Sequence, residues 1–119
     1  MKRKTFIIDS DRAAAVCMEK VAREYGDARV FDNAIAAMNE IAEGDLPDLI
    51  MMDVMLNGPD GFTFLNEMIS YTDTMKVPVV IITMKDLRGL DLAAYGVAKV
   101  LSKETFTPED VRKIYEKCR

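Results

Sequence analysis

The chain has no histidine and no tryptophan, and only two cysteines among its 119 residues. Lacking histidine, it lacks the commonest general base, the commonest transition-metal ligand and every Ser/His or Cys/His nucleophile arrangement. Its chemistry must run on carboxylates, hydroxyls, lysine and a hard metal ion. Cys17 and Cys118 fall on separate predicted helices with no metal-type spacing, so they read as reduced thiols packed as small hydrophobes. Positive charge is not in excess either. Sixteen Lys and Arg stand against 20 Asp and Glu, for a net charge of −4, which argues against a broad nucleic-acid surface. No apolar run approaches the ~18 residues of a membrane helix, and Met1-Lys2-Arg3-Lys4 leads only into Phe6-Ile7-Ile8 before Asp9. The expected location is cytoplasmic, with neither membrane nor nucleic acid as partner.

What is present is ordinary in bulk, with 50% hydrophobic and 30% charged residues, and ordered in pattern. The length supports one domain over 1–119, with no room for a second core. Phe6–Ile8 is a short β-type run. Asp9, Ser10 or Asp11 caps a helix to about Tyr25, with Gly26 as its stop. Ala28–Phe31 reads as a weaker strand, and Asp32 or Asn33 caps a helix carrying Ile35, Met38, Ile41 and Ala42, closed by Gly44. Leu49–Asp53 is a strand buried on both faces, followed by the turn-rich Gly58-Pro59-Asp60-Gly61 and a helix from about Gly61. Val77–Thr83 is the most strand-like stretch, with Pro78 at its beginning. Met84–Tyr95 holds a short helix weakened by Gly89, and Val97–Leu101 is the fifth strand. Thr107-Pro108-Glu109-Asp110 starts a last helix whose apolar stripe is Val111, Ile114, Tyr115 and Cys118. Five strands alternating with five helices imply an α/β fold: a flavodoxin-like, doubly wound, five-stranded parallel sheet of order 2-1-3-4-5.

In a parallel sheet the carboxyl ends of the strands share one edge, where such folds bind ligands. Here that edge collects Asp9 with Ser10 and Asp11, Asp53, Thr83 and Ser102-Lys103. Each has a plain structural role available: helix cap, loop-initiating acid, β-branched strand residue, solvated turn charge. Together they form a coherent site. Clustered carboxylates repel unless a cation sits between them, and oxygen ligands of this kind favour Mg²⁺. A Lys and a Thr hydroxyl opposite the metal suit a phosphoryl group. Asp53 is then the candidate nucleophile, forming an acyl phosphate.

Four pieces in this order resemble the response-regulator receiver domains of two-component signalling, over essentially the whole chain. They are the strand-end acid Asp9, the Asp-x-x-x-x-Gly-x-Asp-Gly segment Asp53–Gly61, Val77–Thr83, and Gly96 through Lys103. The resemblance implies Asp53 as phosphoacceptor, Thr83 bonding a phosphoryl oxygen and Lys103 pairing with the phosphate. It implies Mg²⁺ held by Asp9, Asp53 and the Met55 backbone carbonyl, with Ser10 or Asp11 as a further candidate. The implied donor is a phosphohistidine on a histidine kinase or phosphotransfer protein, and the implied output is docking of an effector on the Met84–Arg119 face. Such a chain is a regulatory phosphoacceptor rather than an enzyme, with at most self-catalysed phosphotransfer and autodephosphorylation. A stand-alone receiver is expected, with no output domain after Arg119.

Five positions depart from the family pattern. Ser10 stands where a second acid is usual, Met84 where a small residue follows the Thr, and Val100 where many members carry a switching Tyr or Phe. Glu104 replaces the Pro that often makes a cis bond, so a trans Lys103–Glu104 peptide is expected. Asn57 replaces another frequent Pro. Val100 is too short and stiff for a two-position lever, so any switch falls to the Met84–Leu90 segment. These departures leave an alternative open: a pseudo-receiver that keeps the fold as a protein-interaction module with weak or no phosphorylation. A flavodoxin-like small-molecule binder is disfavoured, because no hydroxyl- or Gly-rich phosphate loop follows the first strand.

Overall fold

The computed structural model of the protein describes residues 3–56 and 61–117. Cys118 and the turn residues Asn57, Gly58, Pro59 and Asp60 fall outside that range. The strands are β1 (Arg3–Ile8), β2 (Gly26–Phe31), β3 (Leu49–Met52), β4 (Val79–Thr83) and β5 (Val97–Ser102). All pair in parallel, in the order β2-β1-β3-β4-β5. The α-helices are α1 (Arg12–Tyr25), α2 (Ala34–Ala42), α3 (Gly61–Ile69) and α4 (Pro108–Lys117).

Strand character follows from the apolar runs. Every residue of β3 and β4 is buried, as expected for central strands covered on both faces. Alternation along them fills two cores. Phe6, Ile50, Met52 and Ile81 face α2 and α3, while Ile7, Met51, Val80 and Ile82 face α1 and α4. Local polar chemistry sets the helix starts. The Asp11 side chain accepts from the backbone N–H groups of Ala13 and Ala14, and that of Asn33 from Ala36, which selects the third and second of the competing caps. Gly26 both stops α1 and opens β2, with no loop between them. A Cβ there would lie 2.0 Å from the Arg3 carbonyl oxygen, so only glycine fits this close approach.

One expected element is missing. Among the described residues there are four α-helices, not five, and the β4–β5 connection holds only a single 3₁₀ turn, Leu92–Tyr95. Asp86 accepts the Arg88 backbone N–H at 3.0 Å, a local turn that competes with helix. Gly89, at φ +87°, and Gly96, at φ +76°, bracket what remains, and both conformations are costly for other residues. Of the segment's own apolar side chains, Leu87 is buried, while Met84 and Leu90 stay exposed.

Candidate functional site

The sheet's hydrogen-bond ladder runs one residue beyond the strand ends and fixes the site residues. Asp9 N–H donates to Phe31 O at 2.9 Å, Asp53 N–H to Ile8 O at 3.0 Å, and Lys103 N–H to Thr83 O at 2.9 Å. Asp9, Asp53, Thr83 and Lys103 are thereby held on adjacent strands at one edge. Beside them, Gly61 N–H bonds Val54 O at 3.0 Å, and a Cβ on Gly61 would sit 2.5 Å from Val54 Cα. The Gly that ends the Asp53–Gly61 motif thus lets α3 start hard against the chain that leaves Asp53.

The side chains meet. Asp9 and Asp53 are only 2% and 5% exposed. The Lys103 ammonium donates to Asp53 Oδ2 at 2.7 Å and to Asp9 Oδ1 at 2.9 Å. Thr83 Oγ1 donates to Asp53 Oδ1 at 2.6 Å, and the Met55 backbone N–H reaches the same oxygen at 2.9 Å. With the Asp11 N–H on Asp9 Oδ1 at 2.8 Å, five donor contacts converge on two buried carboxylates, two of them from the Lys103 ammonium. One ammonium against two carboxylates leaves the cluster anionic.

The environments drive the two acids apart. Burial pushes the Asp9 carboxyl above the usual carboxylate range, and Lys103 and the Asp11 N–H offset this only in part. Burial pulls Asp53 the same way, but Lys103, the Met55 N–H and Thr83 together hold it below the usual range. Burial acts to lower Lys103, yet its two carboxylates keep the ammonium above its ordinary value. Asp53 is therefore ionised across the physiological range.

The other candidates divide. Asp11 spends Oδ1 on the α1 cap, and its Oδ2 lies 3.7 Å from the Lys103 ammonium. Ser10 is exposed. Asp9 Oδ2 is buried without a hydrogen-bond partner, an oxygen with unused capacity. That oxygen and the all-oxygen donor set fit a hard divalent cation better than a transition metal. Among the described residues, however, no cluster of three ligating side chains forms. The sequence reading did not foresee the Met55 N–H on Asp53 or the Lys85 N–H on Thr83 Oγ1 at 3.2 Å. The first had a signal, since an Asp at a strand end commonly binds the N–H two residues on. The Lys103–Glu104 peptide is trans, as are all those described, and Met84 and Val100 are 56% and 40% exposed. No described helix is long and apolar enough to cross a membrane.

Comparison with known proteins bears on the fold and the family. The chain is 34% identical over 90 residues to the response regulator PleD of Caulobacter vibrioides, an alignment covering 75% of this chain and 20% of PleD. It therefore spans about a fifth of the length of that relative. The fold matches the chemotaxis response regulator CheY4 of Vibrio cholerae with a TM-score of 0.87 and 17% identity, covering all of both chains. The Mn²⁺-bound form of response regulator Rcp1 gives a TM-score of 0.77 at 20% identity, covering 97% of this chain and 93% of that one. Residues 5–116 match the model of the response regulator receiver domain, and the chain belongs to that family.

Proposed function

We propose that Asp53 accepts a phosphoryl group from a phosphohistidine on a histidine kinase or phosphotransfer protein, and that the chain then signals by docking a partner protein. The observation that carries this is the Asp53 carboxylate, ionised and held by Thr83, Lys103 and the Met55 N–H. In the transfer an Asp53 oxygen attacks phosphorus, the P–N bond breaks, and the donor imidazole leaves with the electron pair. Asp53 becomes an acyl phosphate. Lys103 exchanges its bond to Asp53 for one to the transferred group, and the Thr83 hydroxyl donates to another phosphoryl oxygen. Asp9, Asp53 and the Met55 carbonyl would hold Mg²⁺, whose chemistry there is to neutralise charge on the phosphoryl oxygens. Asp9, with its spare Oδ2, is the residue freest to bind it. Ser10 supplies no charge, so the metal site has fewer carboxylates than the family pattern.

A pseudo-receiver is the second reading, favoured by two observations. Lys103 already bridges Asp9 and Asp53, and Ser10 leaves the site short of an acid to draw a cation in. Mass spectrometry after acetyl phosphate with Mg²⁺ separates the two. The expected result is one hydroxylamine-labile phosphoryl group on wild type and none on Asp53→Asn. Equal labelling of both proteins rejects Asp53 as acceptor, and no labelling of either leaves the pseudo-receiver.

A further inference from the structure

Helices α2 and α3 run antiparallel to the strands, so both end at the amino edge of the sheet, away from Asp53. Between those ends lies a pocket of about 320 Å³, at the lower end of the size range of small-molecule sites. Met38 and Ile41 of α2 and Met68 of α3 give it an apolar wall, and Tyr71 stands beside them on the chain that leaves α3. Its charged residues are Glu67 and Asp73, with no Lys or Arg in the lining. Both acids are exposed, and among the described residues neither carboxylate is in an ion pair. The Asp73 carboxylate is nonetheless fixed. It accepts the Thr74 N–H at 2.9 Å, while the buried Thr74 hydroxyl donates to the Met68 carbonyl.

The helix ends add to this negative character. Helices α1 and α4 carry Arg23 and Lys117 in their last turns, whereas α2 and α3 carry no basic residue there. A helix C-terminus bears roughly half a negative elementary charge and favours a cation within its last turn. Two such ends and two carboxylates thus meet at one apolar pocket with no cation of the lining to balance them.

We infer that this pocket binds a small organic cation with an apolar body, of the arylalkylammonium class. The body lies against Met38, Ile41 and Met68, and the ammonium turns to Glu67 and Asp73, with the Tyr71 ring available for a cation–π contact. Each part of the lining selects one part of the ligand. A polyamine would leave the apolar wall wet, and a neutral hydrocarbon would leave the acids unmet. A stable protein partner takes about 20–30 residues a side, and the pocket is lined by eight. This site is separate from the phosphoacceptor, and its failure would leave that assignment untouched.

The test is titration of the full chain with phenylbutylammonium, followed by backbone amide NMR. Saturable shifts are expected at 38–45 and 67–75, with a dissociation constant on the order of 1 mM for a fragment of this size. Phenylbutyrate, the same body with the opposite charge, should bind weaker by about tenfold or more. Spermidine, charge without the body, should give no saturable shift at these amides. Glu67→Gln and Asp73→Asn should each weaken binding several-fold, the Asn keeping the bond to the Thr74 N–H. Ala42→Lys, at the exposed last residue of α2, places a tethered ammonium at the pocket. It should weaken binding by about tenfold or more and raise the thermal midpoint by meeting the helix ends. No saturable shift, shifts confined to other regions, equal binding of phenylbutyrate or spermidine, or indifference to all three substitutions would overturn the assignment. So would movement of the same amides with chain concentration alone, which would give the pocket to a second copy.

Discussion

The two ends of the sheet's carboxyl edge are built on opposite terms. Around β1, β3 and β4 the Asp9 and Asp53 carboxylates are buried and their donors are committed: Lys103 to both acids, Thr83 and the Met55 N–H to Asp53. Next to it, the segment leaving β4 and the strand it leads to bury Leu87 but keep Met84, Leu90 and Val100 largely in solvent. Both regions come from the same alternation of strand and crossover. The difference lies in whether the crossover completes its helix. Where it does, the sheet is sealed and polar groups are held in fixed geometry. Where it does not, a surface is left that is available for binding and free to vary. Rigid chemistry and adaptable recognition thus sit side by side on one edge.

Substitutions measure how deep this contrast goes. Lys103→Ala should have the largest effect on stability, because it strands two buried carboxylates. The expected loss is about 3 kcal/mol, the low end of the range for breaking a buried pair, since water can enter from the edge. Urea denaturation measures it, and a loss below about 1 kcal/mol would mean the cluster is not sealed. Tyr115→Phe should cost about 1–2 kcal/mol by leaving the Thr5 hydroxyl, fully buried, without its 2.8 Å partner. A lowered thermal midpoint with an unchanged fold is the expected readout.

The pH dependence sharpens the polar side further. Asp53, held below its ordinary value, adds stability above its unfolded-state pKa that disappears as pH falls through the folded one. Asp9 does the reverse. Its folded value is raised, so its charge costs stability at neutral pH, and the cost lifts as acid protonates it. Asp9→Asn should therefore match or exceed wild type in stability at pH 7 and lose ground to it as pH approaches 4, measured by denaturant midpoints across that range. A constant offset between the two proteins would contradict this. The smallest effect belongs to the other side: Val100→Thr, at an exposed strand position, should shift stability by no more than about 0.5 kcal/mol. A large loss there would mean that Val100 is covered in solution.

The legibility of the sequence follows the same division. Leu49–Met52 and Val79–Thr83 announce buried strands because both faces are apolar, and the strand order follows from right-handed crossovers. The grouping of Asp9, Asp53, Thr83 and Lys103 at one edge was legible for the same reason, since strand ends of a parallel sheet must share it. What was not legible is who bonds whom. Nothing in the sequence spacing says that Lys103 spans both acids, or that Asp11 spends an oxygen as a cap while Ser10 faces solvent. The short helix expected over Met84–Tyr95, already weakened by Gly89, follows from the alternation of strand and helix, and the structure keeps only the turn Leu92–Tyr95. The Asp86 turn and the left-handed Gly89 and Gly96 act through backbone geometry that the alternation does not register.

The bond between Thr5 and Tyr115 joins the first strand to the last helix across 110 positions. Beside it, Tyr25 and Tyr115 stack with centroids 4.3 Å apart, and Arg112 pairs with Glu24 at 3.0 Å. Val111 and Ile114 from the same helix cover the sheet face that holds Leu49, Met51 and Val80. This seam makes assembly a matter of timing. Closing so long a loop carries an entropic cost that rises only slowly with length, but contacts of this separation form late and slow the search for the native state. Until α4 arrives, that face of β3 and β4 lacks half of its helical cover. A chain emerging from synthesis thus keeps part of its sheet adhesive until α4 has been made.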